Sequence, residues 1–203
     1  MYTLSSSSTE HVGQLPHREG RSMSRPAAPL WTATARYGLR PAPGGLAFVQ
    51  DLLNTRASEE HGPDLLRDSA NAEVWATHAV RAWSALREMH CRPPVLTDHD
   101  AGRLRDLRSA LDRALTGVPL GRLDDFPGTV RFTLVDAAEI SWMPRGQGWR
   151  WLCGAVLGEI LLSRQAGTWQ RLKQCRNSAC QAAFYDSSWN MTGVHNAESC
   201  GRR

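Results

Sequence analysis

The chain contains no run of eighteen apolar residues, so no membrane span is expected. Its N-terminus has no charged segment leading into a continuous apolar stretch, which argues against a secretory leader. No Walker loop, HExxH or Ser-His-Asp signature is present, and no internal period points to a solenoid. Cysteine is scarce and odd in number, five in 203 residues. Cys91 and Cys153 stand alone while the other three crowd the C-terminus. That distribution argues against a secreted disulfide framework and fits a reducing, cytoplasmic setting. Cys153 lies in an apolar run and is expected to be a small buried hydrophobe.

What the sequence does contain is concentrated at its C-terminal end. Cys175 and Cys180 have four residues between them, as do His195 and Cys200, and fourteen residues separate the pairs. Thiolate and neutral imidazole ligands in two close pairs suit one tetrahedral Zn2+. Each pair closes a short loop at little entropic cost. A unit of about thirty residues buries too little surface to fold alone, so a metal staple is physically needed. Phe184 and Tyr185 are expected to supply its only apolar core. The other histidines show no ligand spacing; His61, beside two glutamates, is expected to be a loop residue. Four protein ligands leave no open position on the metal, which points to a binding module and away from an enzyme.

Charge follows the same asymmetry. Residues 163–203 hold six basic and two acidic residues, and the remainder of the chain holds eighteen of each. The whole formal excess of +4 therefore lies in the segment with the metal motif. A basic segment of this kind is the electrostatic footprint of a polyanion binder.

Upstream, residues 1–43 carry a serine run, scattered arginines and several prolines, with no persistent period of 2 or 3.6, and are read as a disordered tail. Leu46, Val49, Leu52 and Leu53 fit one face of a helix. Ala72, Trp75, Ala76, Ala79, Trp83 and Leu86 predict a second helix running to about His90. Thr97 and Asp100 form a capping-box pattern ahead of the stripe Leu104, Leu107, Leu111 and Leu115. Val130, Phe132 and Leu134 alternate, and residues 138–143 offer a second strand, which together suggest a small antiparallel ribbon. Residues 149–164 read as an apolar helix. The tryptophans at 75, 83, 142, 149 and 151 are expected to fill the core. The fold class is therefore α+β, mainly helical. Residues 44–167 form a helical domain with a β ribbon, and residues 168–203 form a small zinc-binding module.

The C-terminal segment resembles the CGNR zinc finger of bacterial proteins. The matching residues are Cys175, Cys180, Phe184, Tyr185, Asp186, Ser187, Asn190, Cys200 and Gly201, followed by Arg202 and Arg203. His195 stands where the family usually has cysteine, and Arg202 replaces the signature asparagine. Residues 46–55 and 63–66 are similar to the ABATE domain that usually precedes this finger. The family is described as stress-induced transcription regulators. The resemblance implies DNA as partner. Arg171, Lys173, Arg176, Arg202 and Arg203 would then lie at phosphates, with Trp189 and Asn190 available for stacking or a base edge. The helical domain would sense a ligand or mediate homodimerisation. The residues themselves also carry an alternative. Residues 187–194 have no positive charge but include Trp189 and Met191, a composition suited to contact with a protein partner.

Overall fold

The computed structural model describes residues 31–117, 126–136, 139–188, 193–195 and 200. The described elements run α1 (Thr32–Ala35), α2 (Leu46–Leu53), α3 (Ser69–Leu86), α4 (Asp98–Leu115), β1 (Thr129–Asp136), β2 (Glu139–Arg145) and α5 (Gly148–Gln165). A 3₁₀ turn (Trp169–Arg171) then leads to β3 (Leu172–Gln174) and β4 (Ala183–Tyr185). The two sheets are separate antiparallel pairs, β1 with β2 and β3 with β4. The α+β architecture with a helical body, small hairpins and a C-terminal Cys/His cluster is as the sequence suggests. No helix among the described residues is long and apolar enough to cross a membrane.

Helix α2 is the centre of the molecule. All eight of its residues are buried, and it touches α1, α3, α4, α5 and β4. A helix apolar on one stripe needs one neighbour; one buried on every face must also satisfy its polar side chains internally. Asp51 accepts from the Thr34 backbone N–H at 2.7 Å and from Trp75 Nε1 at 2.9 Å. Gln50 Oε1 accepts from the Ala42 N–H at 2.6 Å. Just past the helix end, Thr55 Oγ1 accepts from Arg108 at 2.8 Å, and Arg108 in turn pairs with Asp64 at 2.6 Å.

These bonds correct the reading of residues 31–43 as tail. Trp31, Ala33, Thr34, Tyr37 and Ala42 are buried. The segment holds only one turn of helix, so it carries no periodic signal. It is held instead by contacts with later residues: Asp51 and Gln50 accept from its backbone, and its own Arg36 donates to the carbonyls of Pro63, Asn54 and Arg56.

Helix α3 begins at Asp68, whose carboxylate caps the Asn71 N–H at 2.8 Å. It ends at Leu86, four residues before the expected stop near His90. Glu88 takes φ +52°, the Met89 N–H reaches the Ser84 carbonyl at 2.9 Å and the Glu88 N–H reaches the Ala85 carbonyl at 3.4 Å. That is a Schellman termination with a non-glycine residue in the left-handed position, which no proline or glycine announces. The expected capping box is present, with the Asp100 N–H on Thr97 Oγ1 and the Thr97 N–H on Asp100 Oδ2. Asp100 does a second job, since its Oδ1 accepts from the Trp149 N–H at 3.0 Å at the start of α5. Gly148 (φ +55°) permits this approach, because a Cβ there would sit 2.4 Å from that oxygen.

The tryptophans build the core as expected. Trp75 and Trp83 are fully buried, Phe48 stacks on Trp75, and Trp142 and Trp151 meet Trp83 edge-on. Cys153 is buried at 0 % exposure. Glu159, also in this core, accepts from Trp83 Nε1 at 2.6 Å and from Arg87 Nε at 2.8 Å.

Candidate metal centre

The C-terminal unit is built on a knuckle between two very short strands. Gln174 at the end of β3 pairs with Ala183 at the start of β4, and the Cys175 N–H donates to the Ala182 carbonyl at 2.8 Å. The chain between them is folded back on Asn177. Its carbonyl accepts from the N–H groups of Cys180 and Gln181 at 3.0 and 2.9 Å, and its side chain accepts from the Ala179 N–H at 3.0 Å. Gln181 closes the turn with φ +50°. The loop therefore turns Cys175 and Cys180 to the same side, as a four-residue spacer between paired strands should. The second ligand pair is drawn in by one backbone and one side-chain hydrogen bond to this knuckle. The Arg176 N–H donates to the Gly193 carbonyl at 2.8 Å, and Asn177 Nδ2 to the Cys200 carbonyl at 3.4 Å.

One ligand atom from each of Cys175, Cys180, His195 and Cys200 lies within 4.8 Å of the others. His195 Nδ1 is 3.7 Å from Cys180 Sγ and 3.8 Å from Cys200 Sγ, closer than its Nε2, which is 4.0 Å from Cys200 Sγ. Zinc–sulfur bonds of about 2.3 Å and zinc–nitrogen bonds of about 2.0 Å give a tetrahedral S···N edge of about 3.5 Å. The cluster fits a structural Zn2+, with Nδ1 as the histidine's donor atom. The three cysteines are free of disulfides and buried. Burial pushes the Cys180 thiol up to about 12, reinforced by Cys175 and Cys200 beside it. A thiol so raised ionises when a cation takes up its charge, so metal binding at Cys180 is coupled to release of its proton. Burial also lowers the pKa of His195, with His61 adding to the shift, and this favours the neutral imidazole that a metal needs.

The unit's small core extends beyond its own residues. Phe184 packs among the cysteines, and its ring lies 6.0 Å from that of His195. Tyr37, from the segment after α1, joins the same cluster. His61 lies against Tyr37 at a ring separation of 4.2 Å. Neither residue was marked by spacing, since both reach the cluster from the helical body, over a hundred positions upstream. On its other side the unit is docked on α2. Asn54 clamps Ala183, accepting from its N–H at 2.8 Å and donating to its carbonyl at 3.0 Å, while Gln50 Nε2 donates to the same carbonyl at 3.2 Å. Leu172 and Ala183 belong to the main core. Hence Phe184 and Tyr185 are not the unit's only apolar support.

The basic residues expected at DNA are distributed unevenly. Lys173 Nζ pairs with Asp186 Oδ2 at 2.6 Å, and Arg171 Nε donates to the Asp186 carbonyl at 2.7 Å while its guanidinium lies over the Tyr185 ring. The bond from Lys173, with help from Ser188, holds the Asp186 carboxyl down to about 2. Arg176 is exposed. Trp189, Asn190, Arg202 and Arg203 lie outside the described residues, as does Met191.

No family model, curated protein or solved structure shows significant similarity to the chain.

Proposed function

We propose that the protein is a DNA-binding transcription regulator of the CGNR type, with the Cys3His cluster as a purely structural staple. The carrying observation is the closed cluster itself. Four protein donors converge on one point, and the segment that holds them also holds the chain's entire positive excess. A metal with four protein ligands offers no site for a substrate, so its work is to fix a surface. Arg176, set on the knuckle and exposed, is the described residue best placed to meet a phosphate. Arg202 and Arg203 extend the same basic segment in sequence.

One specific observation favours a second reading, a zinc-stabilised surface for a protein partner. Lys173 and Arg171 are occupied with Asp186, which removes two of the unit's cations from easy contact with a phosphate. Aromatic, uncharged surface suits protein contact better than a DNA backbone.

The experiment is a titration of the zinc-loaded full chain with duplex DNA across a salt series. The DNA reading expects log K to fall by about 0.9 for each phosphate neutralised as log salt rises. It also expects Arg176→Glu to weaken binding at every sequence tested. Undetectable binding at low salt sinks the DNA reading and leaves the protein-contact reading standing.

A further inference from the structure

The ribbon β1–β2 is amphipathic, and its apolar face is only half covered. Register places Phe132 opposite Trp142 and Leu134 opposite Ile140, so these residues share one face. At its base that face sits on α5. There Gly158 admits the Trp142 ring, which a Cβ would meet at 2.5 Å. Towards its tip the ribbon runs past the helix. Phe132, Leu134 and Ile140 are 62 %, 67 % and 65 % exposed, and Leu161 on α5 beside them is 52 % exposed. Between ribbon and helix lies an apolar groove of about 170 Å³, lined by Val130, Phe132, Trp142, Leu157, Leu161 and Leu162 among others. A large apolar ridge and an apolar groove are thus neighbours on one surface.

We infer that this face is the contact between two copies of the chain, related by a two-fold axis, each copy's ridge seated in the other's groove. Three observations select a second copy as the occupant. The first is area. At about 200 Å² for a large side chain, the four exposures leave on the order of 500 Å² of apolar surface on one chain, at the upper end of what monomers show. A two-fold pair buries about 1,000 Å², the floor for a biological interface. The second is charge. Arg131 and Arg145 belong to the opposite face of the ribbon, so the ridge of Phe132, Leu134 and Ile140 is itself uncharged. The third is shape. The groove is close to the roughly 150 Å³ that accepts a benzene-sized group, which suits one leucine or isoleucine side chain. A small ligand filling it would leave Leu134 and Ile140 in water, whereas a two-fold partner covers ridge and groove together, as an isologous interface requires. The inference stands whether or not the metal unit binds DNA.

The test is the mass of the zinc-loaded full chain by light scattering and sedimentation, across a concentration series. Wild type is expected at twice the 22.5 kDa chain mass. The double variant Leu134→Lys with Ile140→Lys is expected at once that mass, its dimer Kd raised at least about 100-fold, with zinc content and far-UV dichroism unchanged. Arg131→Glu, on the other face, is expected to remain dimeric. If the double variant does not fold, Leu134→Ser, an exposed single change, is read in the same way. A wild type that is monomeric at every concentration overturns the inference, as does a monomer carrying an apolar small molecule in native mass spectrometry. A dimer indifferent to the ridge substitutions, or equally sensitive to Arg131→Glu, overturns it too.

Discussion

Replacing Asn54 by leucine tests whether the metal unit is part of the helical body or merely tethered to it. Asn54 is fully buried and branches at Cγ as leucine does, so the change keeps the side-chain shape while removing its polarity and adding some volume. In the wild type its side chain imitates a neighbouring strand. It accepts from the Ala183 N–H at 2.8 Å and donates to the Ala183 carbonyl at 3.0 Å. In the variant the Ala183 N–H is left in a site where Ala183 is 1 % exposed. An orphaned buried donor costs about 1–3 kcal/mol. The Ala183 carbonyl keeps Gln50 Nε2 at 3.2 Å, so its loss is the smaller one, about 1 kcal/mol. Some of this is offset by the added apolar surface of leucine, giving a net loss of about 2–3 kcal/mol. For a domain of this size that is a fall in Tm of roughly 5–10 °C.

The assay is urea and thermal unfolding of the zinc-loaded chain, followed by far-UV dichroism and by chelator competition for zinc. If docking and metal binding are one transition, the apparent zinc affinity falls by the same free energy, about 30–100-fold. A Tm within about 2 °C of wild type would refute the claim that these bonds hold the unit to α2. A lowered Tm with unchanged zinc affinity would show instead that the unit is already docked before the metal arrives.

Three further outcomes follow from the same geometry. His195→Ala should reduce zinc retention against a chelator by at least about tenfold while His195→Cys restores it, measured as zinc per chain; equal retention by wild type and alanine variant would remove His195 from the ligand set. Arg87→Met should cost about 3–5 kcal/mol in urea unfolding, because it strands the carboxylate of Glu159 at 2 % exposure, and Glu159→Gln should cost less because Arg87 can reach water; the opposite order would refute this assignment. Burial raises the Asp51 carboxyl to about 6, above its unfolded value, so its contribution to stability is full below the unfolded pKa and is lost as pH rises through 6. Between pH 7.5 and pH 5 the wild type should therefore gain about 1.4 kcal/mol over Asp51→Asn in urea unfolding, and a pH-independent difference between them would contradict it.

Much of this molecule was legible because its signals are local. The stripe Leu104, Leu107 and Leu111 faces the core, the Thr97–Asp100 box caps its helix, and the paired spacing of Cys175, Cys180, His195 and Cys200 closes one cluster. Each of these patterns is set by residues a few positions apart, whose geometry the period of the backbone dictates. The readings that needed correction depend on distant partners. Residues 31–43 are ordered by Asp51, Gln50 and the carbonyls that Arg36 reaches, none of which leaves a periodic trace in the segment itself. The stop of α3 at Leu86 rests on Glu88 in a conformation that glycine usually marks. The alternation of Val130, Phe132 and Leu134 correctly indicated a strand with an apolar face. Alternation cannot say how far the strand outruns the helix beneath it, and that overhang is what leaves Phe132 and Leu134 exposed.

The polar residues of α2 and its C-cap draw these observations into one mechanism of assembly. Gln50, Asp51 and Asn54 sit within five positions, are each fully buried, and reach the N-terminal segment, α3 and β4 between them. An all-apolar helix in the same place would bury as much surface, but its neighbours could slide along it, since hydrophobic contact is non-directional. Hydrogen bonds to single backbone groups allow one registry only. The Asn54 clamp on Ala183 therefore sets the position of β4, β4 pairs with β3, and the β3–β4 turn carries Cys175 and Cys180. Tyr37, itself in the segment that Asp51 and Gln50 fix, belongs to the same apolar cluster as these cysteines. A perturbation of α2 polarity should thus be felt at the metal centre without touching a ligand. Gln50→Leu leaves all four metal ligands in place but removes the acceptor for the Ala42 N–H and a donor to the Ala183 carbonyl, and it should raise the rate of zinc transfer to a chelator relative to wild type. An unchanged transfer rate, with the expected loss of stability, would mean that the metal centre is held independently of the Gln50 bonds to Ala42 and Ala183.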